Sequence, residues 1–255
     1  PALAAAFPEH CAHAQAGAAV ETERQAAGEF GGYDAVLQAP DLVASLARHY
    51  GEGHEFSVNQ LEGYIGCPFN FYMQRILQVE ESDAPDGSVE SMLRGNLIHE
   101  ILQRFHSQFV GLHIRDIGLG KAEEAMATLV EIVFSEFDWS ASSAPRGAIM
   151  GEKASLLTRL THYLRIEHAK EDEQRWKPRN FEVAFGRAAR TEEDALSTSE
   201  SYVMETAEGP VRFTGRIDRI DQAEEEARII DYKSGGIPAV GDITSGKSLQ
   251  LSVYA

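Results

Sequence analysis

The chain has 255 residues, of which 43% are hydrophobic and 25% charged, a composition typical of a soluble globular protein. This composition excludes a collagen, a coiled coil and a wholly disordered chain. No run approaches the roughly 20 apolar residues of a membrane span, and residues 1–7 lack the features of a signal peptide, so we expect a soluble, cytoplasmic protein. The missing initiator Met and the apolar run over residues 249–255 indicate a piece of a longer protein.

The formal net charge of −17 argues against a polyanionic partner, because affinity for nucleic acid depends largely on Lys and Arg side chains. The charge is unevenly distributed, however. Residues 1–90 contain 14 acidic and three basic residues, whereas residues 91–255 contain 26 and 20. Eight of these basic residues lie between positions 159 and 190, where a solvated helix face is their simplest explanation. Net charge alone therefore does not exclude DNA.

The first part of the chain, residues 1–54, is rich in Ala and Gly and only weakly periodic. This pattern predicts a linker or peripheral segment with a short helix over residues 41–50. The pattern changes at residue 55. Ser57, followed three residues later by Gln60, is a capping-box signature, and it predicts the start of a helix that Pro68 breaks.

The middle of the chain has the apolar spacing of helices. One apolar stripe runs through residues 97–109, and two more helical segments follow at about residues 121–137 and 148–176. We interpret residues 111–176 as a large helical insertion between the parts of an α/β fold.

After residue 176 the apolar spacing shortens to that of strands. We predict strands over residues 181–185, 202–206, 211–221 and 227–233, arranged as an antiparallel meander. The glycines and proline that follow end the last strand, and a helix is expected to begin near Lys247.

Two carboxylates and a lysine concentrate in the last predicted strands. Side chains alternate along a strand, so Asp231 and Lys233 are expected on one face, and a hairpin turning at residues 224–226 brings Asp218 beside them. Such a site suits Mg²⁺ or Mn²⁺ and a phosphodiester substrate. A structural ion pair at a strand end explains the same three residues equally well.

Five motifs in one order along the chain resemble the RecB/AddB-type nuclease domain of the PD-(D/E)XK superfamily. They are FSVNQLEGYIGCPF (56–69), RGNLIH (94–99), GRIDRID (215–221), IDYKS (230–234) and QLSVY (250–254). The resemblance covers about residues 56–255, and residues 33–50 also look similar to the segment that precedes this domain in AddB-like helicase-nuclease subunits.

The resemblance implies an α/β fold with a restriction-endonuclease-like core, in which a mixed, mainly antiparallel central sheet is flanked by helices. Residues 55–255 would form the nuclease domain, with the helical insertion at about residues 111–176. The superfamily core normally gains a further strand after the last helix, so we expect the domain to be truncated at its C-terminus.

The resemblance also assigns roles to the residues of the predicted strands. Asp218 and Asp231 match metal-binding carboxylates of the family, and Lys233 matches its catalytic lysine. The proline that gives the superfamily its name is replaced by Ile217, a departure common in this branch.

Four more residues match the family elsewhere in the chain, one of them on the first predicted strand. His99 matches a histidine that also ligates metal, and Glu182 matches an acidic metal-binding position more loosely. Gln250 and Tyr254, four residues apart on one helix face, match a Gln-x-x-x-Tyr motif that contacts DNA or supports the site. Each position also has a plain structural explanation: a surface or core histidine, a solvated strand carboxylate, and two residues that pack a helix.

The two cysteines, Cys11 and Cys67, are too few for a disulfide scaffold or a four-thiolate metal site. In many AddB-like proteins a cysteine at the place of Cys67 joins three others, beyond the last helix, to hold an iron–sulfur cluster. Those three cysteines are absent here, so we expect no cluster within these 255 residues. Cys67 is then either a ligand of a cluster that only a longer chain holds, or a buried thiol in a relative without a cluster.

The resemblance implies a Mg²⁺- or Mn²⁺-dependent DNA nuclease, most simply an exonuclease on single-stranded ends in double-strand-break repair and recombination. A helicase-nuclease subunit is an implied partner. Two alternatives stay open: a non-catalytic module that binds DNA or a helicase, and a protein-interaction scaffold with a chance acidic cluster. The scaffold would show no response of its melting temperature to divalent ions.

Overall fold

Five strands form one mixed sheet in the computed structural model of the chain. They are β1 (Glu55–Ser57), β2 (Lys177–Phe185), β3 (Tyr202–Thr206), β4 (Gly209–Ala223) and β5 (Glu226–Ile230). The structure describes residues 8–26, 28, 36–37, 39–51, 53–79, 89, 91–142, 144–170, 175–186 and 195–254.

Strand β4 is the centre of the sheet, because the other four strands all pair with it. Its first half pairs with β1 in parallel and with β3 in antiparallel orientation. Its second half pairs with β2 and β5, both antiparallel. A 15-residue strand has room for two partners along each edge, and this arrangement places the middle of β4 where the partner strands meet.

The β4–β5 hairpin turns where the sequence predicted it. The two strands pair from Arg219 with Ile230 to Ala223 with Glu226, so Glu224 and Glu225 form the turn. Glu224 has a φ of 53°, a left-handed conformation of the kind that tight two-residue hairpin turns require. This local connection fixes the register that brings Asp218 near the end of β5.

The helices of the same unit cover the sheet and build most of the core. They are α3 (Val58–Gly66), α4 (Pro68–Phe71), α5 (Ser91–Gln108), α6 (Ile114–Ile117), α7 (Leu119–Glu136), α8 (Arg146–Ala169), α9 (Val240–Thr244) and α10 (Gln250–Tyr254). Tyr72–Ile76 form a π-helical turn and Trp139–Ala141 a 3₁₀ turn.

The main hydrophobic core lies between α5, α7 and α8. Ile101 and Phe105 of α5, Met126 of α7, and Leu156 and Leu164 of α8 are fully buried within it. Each helix contributes apolar residues three or four positions apart, which is the spacing that forms one continuous apolar face. This core holds α5 in place against the strands that carry the site residues.

The chain consists of two compact units, Pro1–His54 and Glu55–Ala255. The first unit contains α1 (Pro8–Ala26) and α2 (Pro40–His49). Helix α2 agrees with the predicted helix over residues 41–50. Helix α1 was not predicted, because its many alanines favour a helix without producing an apolar stripe. No helix among the described residues is both long enough and apolar enough to cross a membrane.

The capping box at the start of α3 is confirmed. The Ser57 hydroxyl accepts from the Gln60 amide at 3.2 Å, and the Gln60 side chain accepts from the Ser57 amide at 2.8 Å. Helix α3 ends at Gly66, directly before Cys67 and Pro68, as the proline predicted.

Several predictions about the elements were wrong. The strands do not form a simple meander, because β2 and β3 each pair with β4 and no pairing of β2 with β3 occurs among the described residues. Strand β1 was not predicted, because three residues give too short a pattern. Helix α8 ends at Ala169 rather than near residue 176, since the residues after it are polar and supply no apolar position. Strand β5 ends at Ile230 rather than Lys233, because the Tyr232 amide donates to a side chain, that of Asp218, and not to a strand carbonyl.

Candidate metal and catalytic site

Asp218 lies in the middle of β4 and is 8% exposed. A buried carboxylate is costly unless it is hydrogen-bonded or paired. Its Oδ2 accepts a 2.6 Å hydrogen bond from the Tyr232 amide, and its Oδ1 lies 3.3 Å from Nδ1 of His99. Both oxygens therefore have a partner, and the second partner is a histidine, a side chain of a type that can ligate metal.

Glu182 reaches the same place from β2. It lies between Phe181, which pairs with Arg219, and Val183, which pairs with Ile217. Its φ of 52° is a left-handed conformation that costs a non-glycine residue roughly 1 kcal/mol or more. The mostly buried carboxylate lies 3.7 Å from Nδ1 of His99 and accepts a 3.3 Å bond from the Arg216 guanidinium.

His99 projects from α5 and connects both carboxylates. Its Nδ1 faces Asp218 and Glu182, while its Nε2 lies 3.2 Å from the Tyr232 carbonyl oxygen. The hydrogen bond to Asp218 and then the one to Glu182 raise the pKa of His99 from 6.5 to about 10, although burial opposes the shift. The imidazole therefore carries a proton at neutral pH and balances part of the negative charge around it.

His99, Glu182 and Asp218 together form a group that fits a divalent cation. Their ligand atoms all lie within 4.8 Å of one another. The possible ligand atoms are one imidazole nitrogen and two carboxylate oxygens. Mn²⁺ binds both kinds of atom readily, whereas Mg²⁺ binds mainly the carboxylate oxygens. Three ligands from three different elements leave coordination positions for water and substrate.

Asp231 and Lys233 lie just after β5. The Lys233 ammonium is 2.7 Å from Oδ2 of Asp231 and also donates to Oε1 of Gln250. Burial raises the pKa of Asp231, and the hydrogen bond from Lys233 opposes that rise. The sequence predicted that Asp231 and Lys233 would share one face of a strand, and this is wrong because residues 231–233 lie beyond the end of β5. The ion pair nevertheless brings the two side chains together.

Asp231 is not part of the three-residue group, although its carboxylate is close enough to Asp218 and His99 for their charges to affect its pKa. The described site thus has two adjoining parts. One is the group of His99, Glu182 and Asp218, which we call the metal group. The other is the ion pair of Asp231 and Lys233.

Helix α10 brings Gln250 and Tyr254 to the site. The Tyr254 ring meets the Phe185 ring edge-on at 5.8 Å, and burial raises the pKa of the tyrosine hydroxyl. Gly215 is required here, because a Cβ at that position would lie 2.9 Å from both the Tyr254 hydroxyl and the Phe185 ring. The glycine thus permits the close approach of α10 to β4.

Two functional contacts were not found from the sequence. Oε1 of Glu62, on α3, accepts bonds from the Leu249 and Gln250 amides at 2.6 and 3.2 Å and so caps the start of α10. Arg216 pairs with Glu182 beside the metal group. Glu62 and Arg216 both lie inside motifs that carry the family resemblance. Their location in those motifs was the only sequence signal that could have pointed to either residue.

A polar cleft of about 590 Å³ opens beside the metal group. Helix α5 lines it with Asn96, Gln103 and Ser107 in addition to His99, and Glu182 and Arg216 form the facing wall. A cleft of this size lies within the usual range of ligand-binding pockets.

Cys67 is exposed and lies at the start of α4, where its Sγ accepts from the Asn70 amide at 3.4 Å. Cys11 belongs to the other compact unit. The prediction that Cys67 ligates a cluster in a longer chain stays a prediction.

Comparison with known proteins gives the family. Residues 55–255 match a family model described as the PD-(D/E)XK nuclease superfamily. The chain is also similar to proteins that are named as one subunit of an ATP-dependent helicase/deoxyribonuclease. The relative from Acetivibrio thermocellus is 29% identical over 228 residues, which are 86% of this chain and 19% of the relative.

Two further relatives with that name give the same result. The one from Clostridium kluyveri is 28% identical over 233 residues, or 87% of this chain and 19% of the relative. The one from Staphylococcus aureus strain JH9 is 27% identical over 221 residues, which are 80% of this chain and 18% of the relative. The chain thus spans about a fifth of the length of the curated relatives it matches.

Proposed function

Because the chain belongs to the PD-(D/E)XK nuclease superfamily, we propose that it is a metal-dependent deoxyribonuclease that hydrolyses phosphodiester bonds. The observation that carries the proposal is the metal group, in which His99, Glu182 and Asp218 converge from three elements beside the ion pair of Asp231 and Lys233. A purely structural ion pair would not explain why a histidine and a glutamate with a strained backbone lie beside it.

The metal group would hold Mn²⁺ or Mg²⁺, with Asp231 as a further ligand. A bound divalent ion would offset charge on the scissile phosphate and favour deprotonation of the attacking water. Lys233 is held by Asp231 and Gln250, so its ammonium is fixed at the edge of the metal group and donates to the phosphate as negative charge develops there. Tyr254 supports Gln250 by anchoring α10 against β2 and β4.

We propose single-stranded ends of DNA as the substrate. The cleft beside the metal group supports this choice, because its volume lies within the usual range of ligand-binding pockets and its α5 wall offers amide and hydroxyl groups. Arg216 lines the same cleft, and we propose that its guanidinium contacts a phosphate of the substrate. We further propose an exonuclease role in double-strand-break repair and recombination, in the cytoplasm, and the support for this role is the family resemblance of the motifs.

We also propose that the chain acts together with a helicase-nuclease partner. The relatives are named as subunits, and the chain spans only about a fifth of their length. A formal charge of −17 makes strong unaided binding of DNA unfavourable, and a partner that delivers the strand would remove this difficulty.

The test is cleavage of end-labelled single- and double-stranded DNA with Mn²⁺, Mg²⁺ or EDTA. Wild type is expected to cut single strands only with a divalent ion, and Asp231→Asn and Lys233→Met are expected to lose this activity. The matched controls are Asp41→Asn and Lys247→Met, which change exposed residues outside the site and should leave cleavage unchanged.

Two other outcomes would change the conclusion. Binding of DNA without cleavage, in wild type supplied with Mn²⁺, would favour the non-catalytic module. A melting temperature that does not respond to Mn²⁺, together with inert protein, would favour the scaffold.

A further inference from the structure

A group of buried charged and polar side chains lies outside the catalytic site. Arg219 is 3% exposed and Asp221 is 0% exposed, and the two form a bidentate ion pair at 2.5 and 2.8 Å. We call this group, together with His106, Tyr163 and Glu167, the buried polar cluster. Its members come from α5, α8 and β4.

The cluster is closely connected. Nη1 of Arg219 donates to the Tyr163 hydroxyl at 2.8 Å, and that hydroxyl lies 2.9 Å from Nε2 of His106. The carboxylate of Glu167 is 3.8 Å from Nη2 of Arg219. Removing these groups from water is costly, and it is offset only because each has a partner of fixed position. The cluster is therefore a rigid point in the fold.

Tyr232 connects this rigid point to the metal group. Its ring meets the Tyr163 ring edge-on at 6.4 Å, whereas its buried hydroxyl, although near Arg219 and Tyr163, forms no hydrogen bond with the described residues. Burial raises the pKa of Tyr232 to about 12, so the hydroxyl stays neutral. The ring also packs against the main hydrophobic core.

The main chain of Tyr232 holds two members of the metal group. Its amide donates to Asp218 at 2.6 Å, and its carbonyl oxygen lies 3.2 Å from Nε2 of His99. The Tyr232 ring also lies edge-on to the His99 ring at 6.0 Å. Residues 231–239 belong to no helix or strand, so side-chain contacts hold this stretch of backbone. They include the packed Tyr232 ring and the contacts of Lys233 with Asp231 and Gln250.

We propose that Tyr232 is a positioning residue: its ring, anchored on the buried polar cluster, sets the backbone groups that orient Asp218 and His99 for a divalent ion. This inference rests on the proposed metal-dependent function. Metal ligands must be held within about half an ångström of the productive geometry, and loss of a group that orients a ligand typically weakens metal binding roughly 10- to 100-fold.

The test compares Tyr232→Phe and Tyr232→Leu in the whole 255-residue chain, with Tyr202→Leu as the control at an exposed tyrosine of β3. Mn²⁺ affinity is measured by isothermal titration calorimetry, folding by circular dichroism, and the turnover number kcat at saturating Mn²⁺ on single-stranded DNA. Tyr232→Phe keeps the ring and should retain an affinity close to that of wild type. Tyr232→Leu should bind Mn²⁺ roughly 10- to 100-fold more weakly and recover part of its kcat at high Mn²⁺.

A second variant separates loss of folding from loss of function. If Tyr232→Leu does not fold, Tyr232→Met, whose longer and more flexible side chain adapts to the space left by the ring, replaces it with the same expectation. A folded Tyr232→Leu or Tyr232→Met with the Mn²⁺ affinity of wild type would overturn the positioning role. Wild type that binds no Mn²⁺ and cuts no DNA would instead overturn the proposed function on which it rests.

Discussion

Binding of Mn²⁺ is expected to release a proton from His99. The carboxylates of Asp218 and Glu182 raise the pKa of this histidine from 6.5 to about 10, so the metal-free chain carries an imidazolium there at neutral pH. A histidine that ligates a metal must be neutral, and the proton therefore leaves when the ion binds. Below the raised pKa, metal affinity consequently increases with pH.

The raised pKa also sets the size of this effect. If one proton leaves, the apparent dissociation constant of Mn²⁺ falls by up to about tenfold for each unit of pH between roughly 6.5 and 10. The His99 side chain is 32% exposed, so solvent screens part of the carboxylate field. We therefore expect roughly a five- to tenfold change per unit at neutral pH, where the imidazolium dominates.

Calorimetric titration in two buffers with different ionisation enthalpies counts the protons released. Wild type should release about one proton per Mn²⁺ at about pH 7.5. His99→Gln should release close to none and show a nearly flat pH dependence, while His162→Gln, a control at an exposed histidine of α8, should behave as wild type. Tight Mn²⁺ binding by wild type without proton release would refute the assignment of His99 as a ligand.

Three further predictions concern the backbone and the core. The free energy of unfolding in urea should be about 1 kcal/mol higher for Glu182→Gly than for Glu182→Ala. This order is the reverse of the usual one in a strand, because a φ of 52° strains an alanine and not a glycine. Arg219→Met should lower the free energy of unfolding by roughly 3–5 kcal/mol, and adding Asp221→Leu should restore part of it, because the single variant leaves a buried carboxylate without its main partner. Gly215→Ala should reduce DNA cleavage with little change in fold, since the new Cβ displaces α10; Gly151→Ala, with open space around it, is the control.

The part of the site that depends on local connections could be predicted from the sequence. Asp218 lies on β4, and the tight turn to β5 brings it near Asp231 and Lys233, which directly follow β5. The spacing rule for strands does not explain the pairing of Asp231 with Lys233, because both residues lie beyond the strand. His99 is far from Asp218 along the chain, and no spacing rule connects a helix to a strand at that distance. Its place in the site was expected only because the order of motifs resembles a known family.

Other features leave no mark in the sequence. The Tyr232 amide and carbonyl hold Asp218 and His99, yet every non-proline residue has these groups, so no residue type reveals them. A left-handed φ is usually signalled in a sequence by a glycine, but the residue with this conformation here is Glu182. The cap that Glu62 provides for α10 acts across 187 positions of the chain, far beyond the range of a capping pattern.

If the proposed function holds, the charges of the site explain how a chain with a net charge of −17 binds a polyanion. Six side chains balance one another when His99 is protonated: Glu182, Asp218 and Asp231 against His99, Arg216 and Lys233. A divalent ion adds two positive charges and displaces one proton, so the formal charge of the site changes from zero to +1. The positive field that attracts a phosphate therefore exists only with the metal bound.

Binding of DNA should accordingly depend on the divalent ion even when no cleavage occurs. We expect Lys233→Arg, which keeps the proposed metal ligands and the formal charge of the site while replacing the proposed catalytic lysine, to bind a fluorescent single-stranded oligonucleotide in the presence of Mn²⁺ and to release it when EDTA is added. Fluorescence anisotropy at two salt concentrations measures both the affinity and its electrostatic part. Equal affinity with Mn²⁺ and with EDTA would mean that basic residues elsewhere hold the DNA, and the charge balance of the site would then have no part in binding.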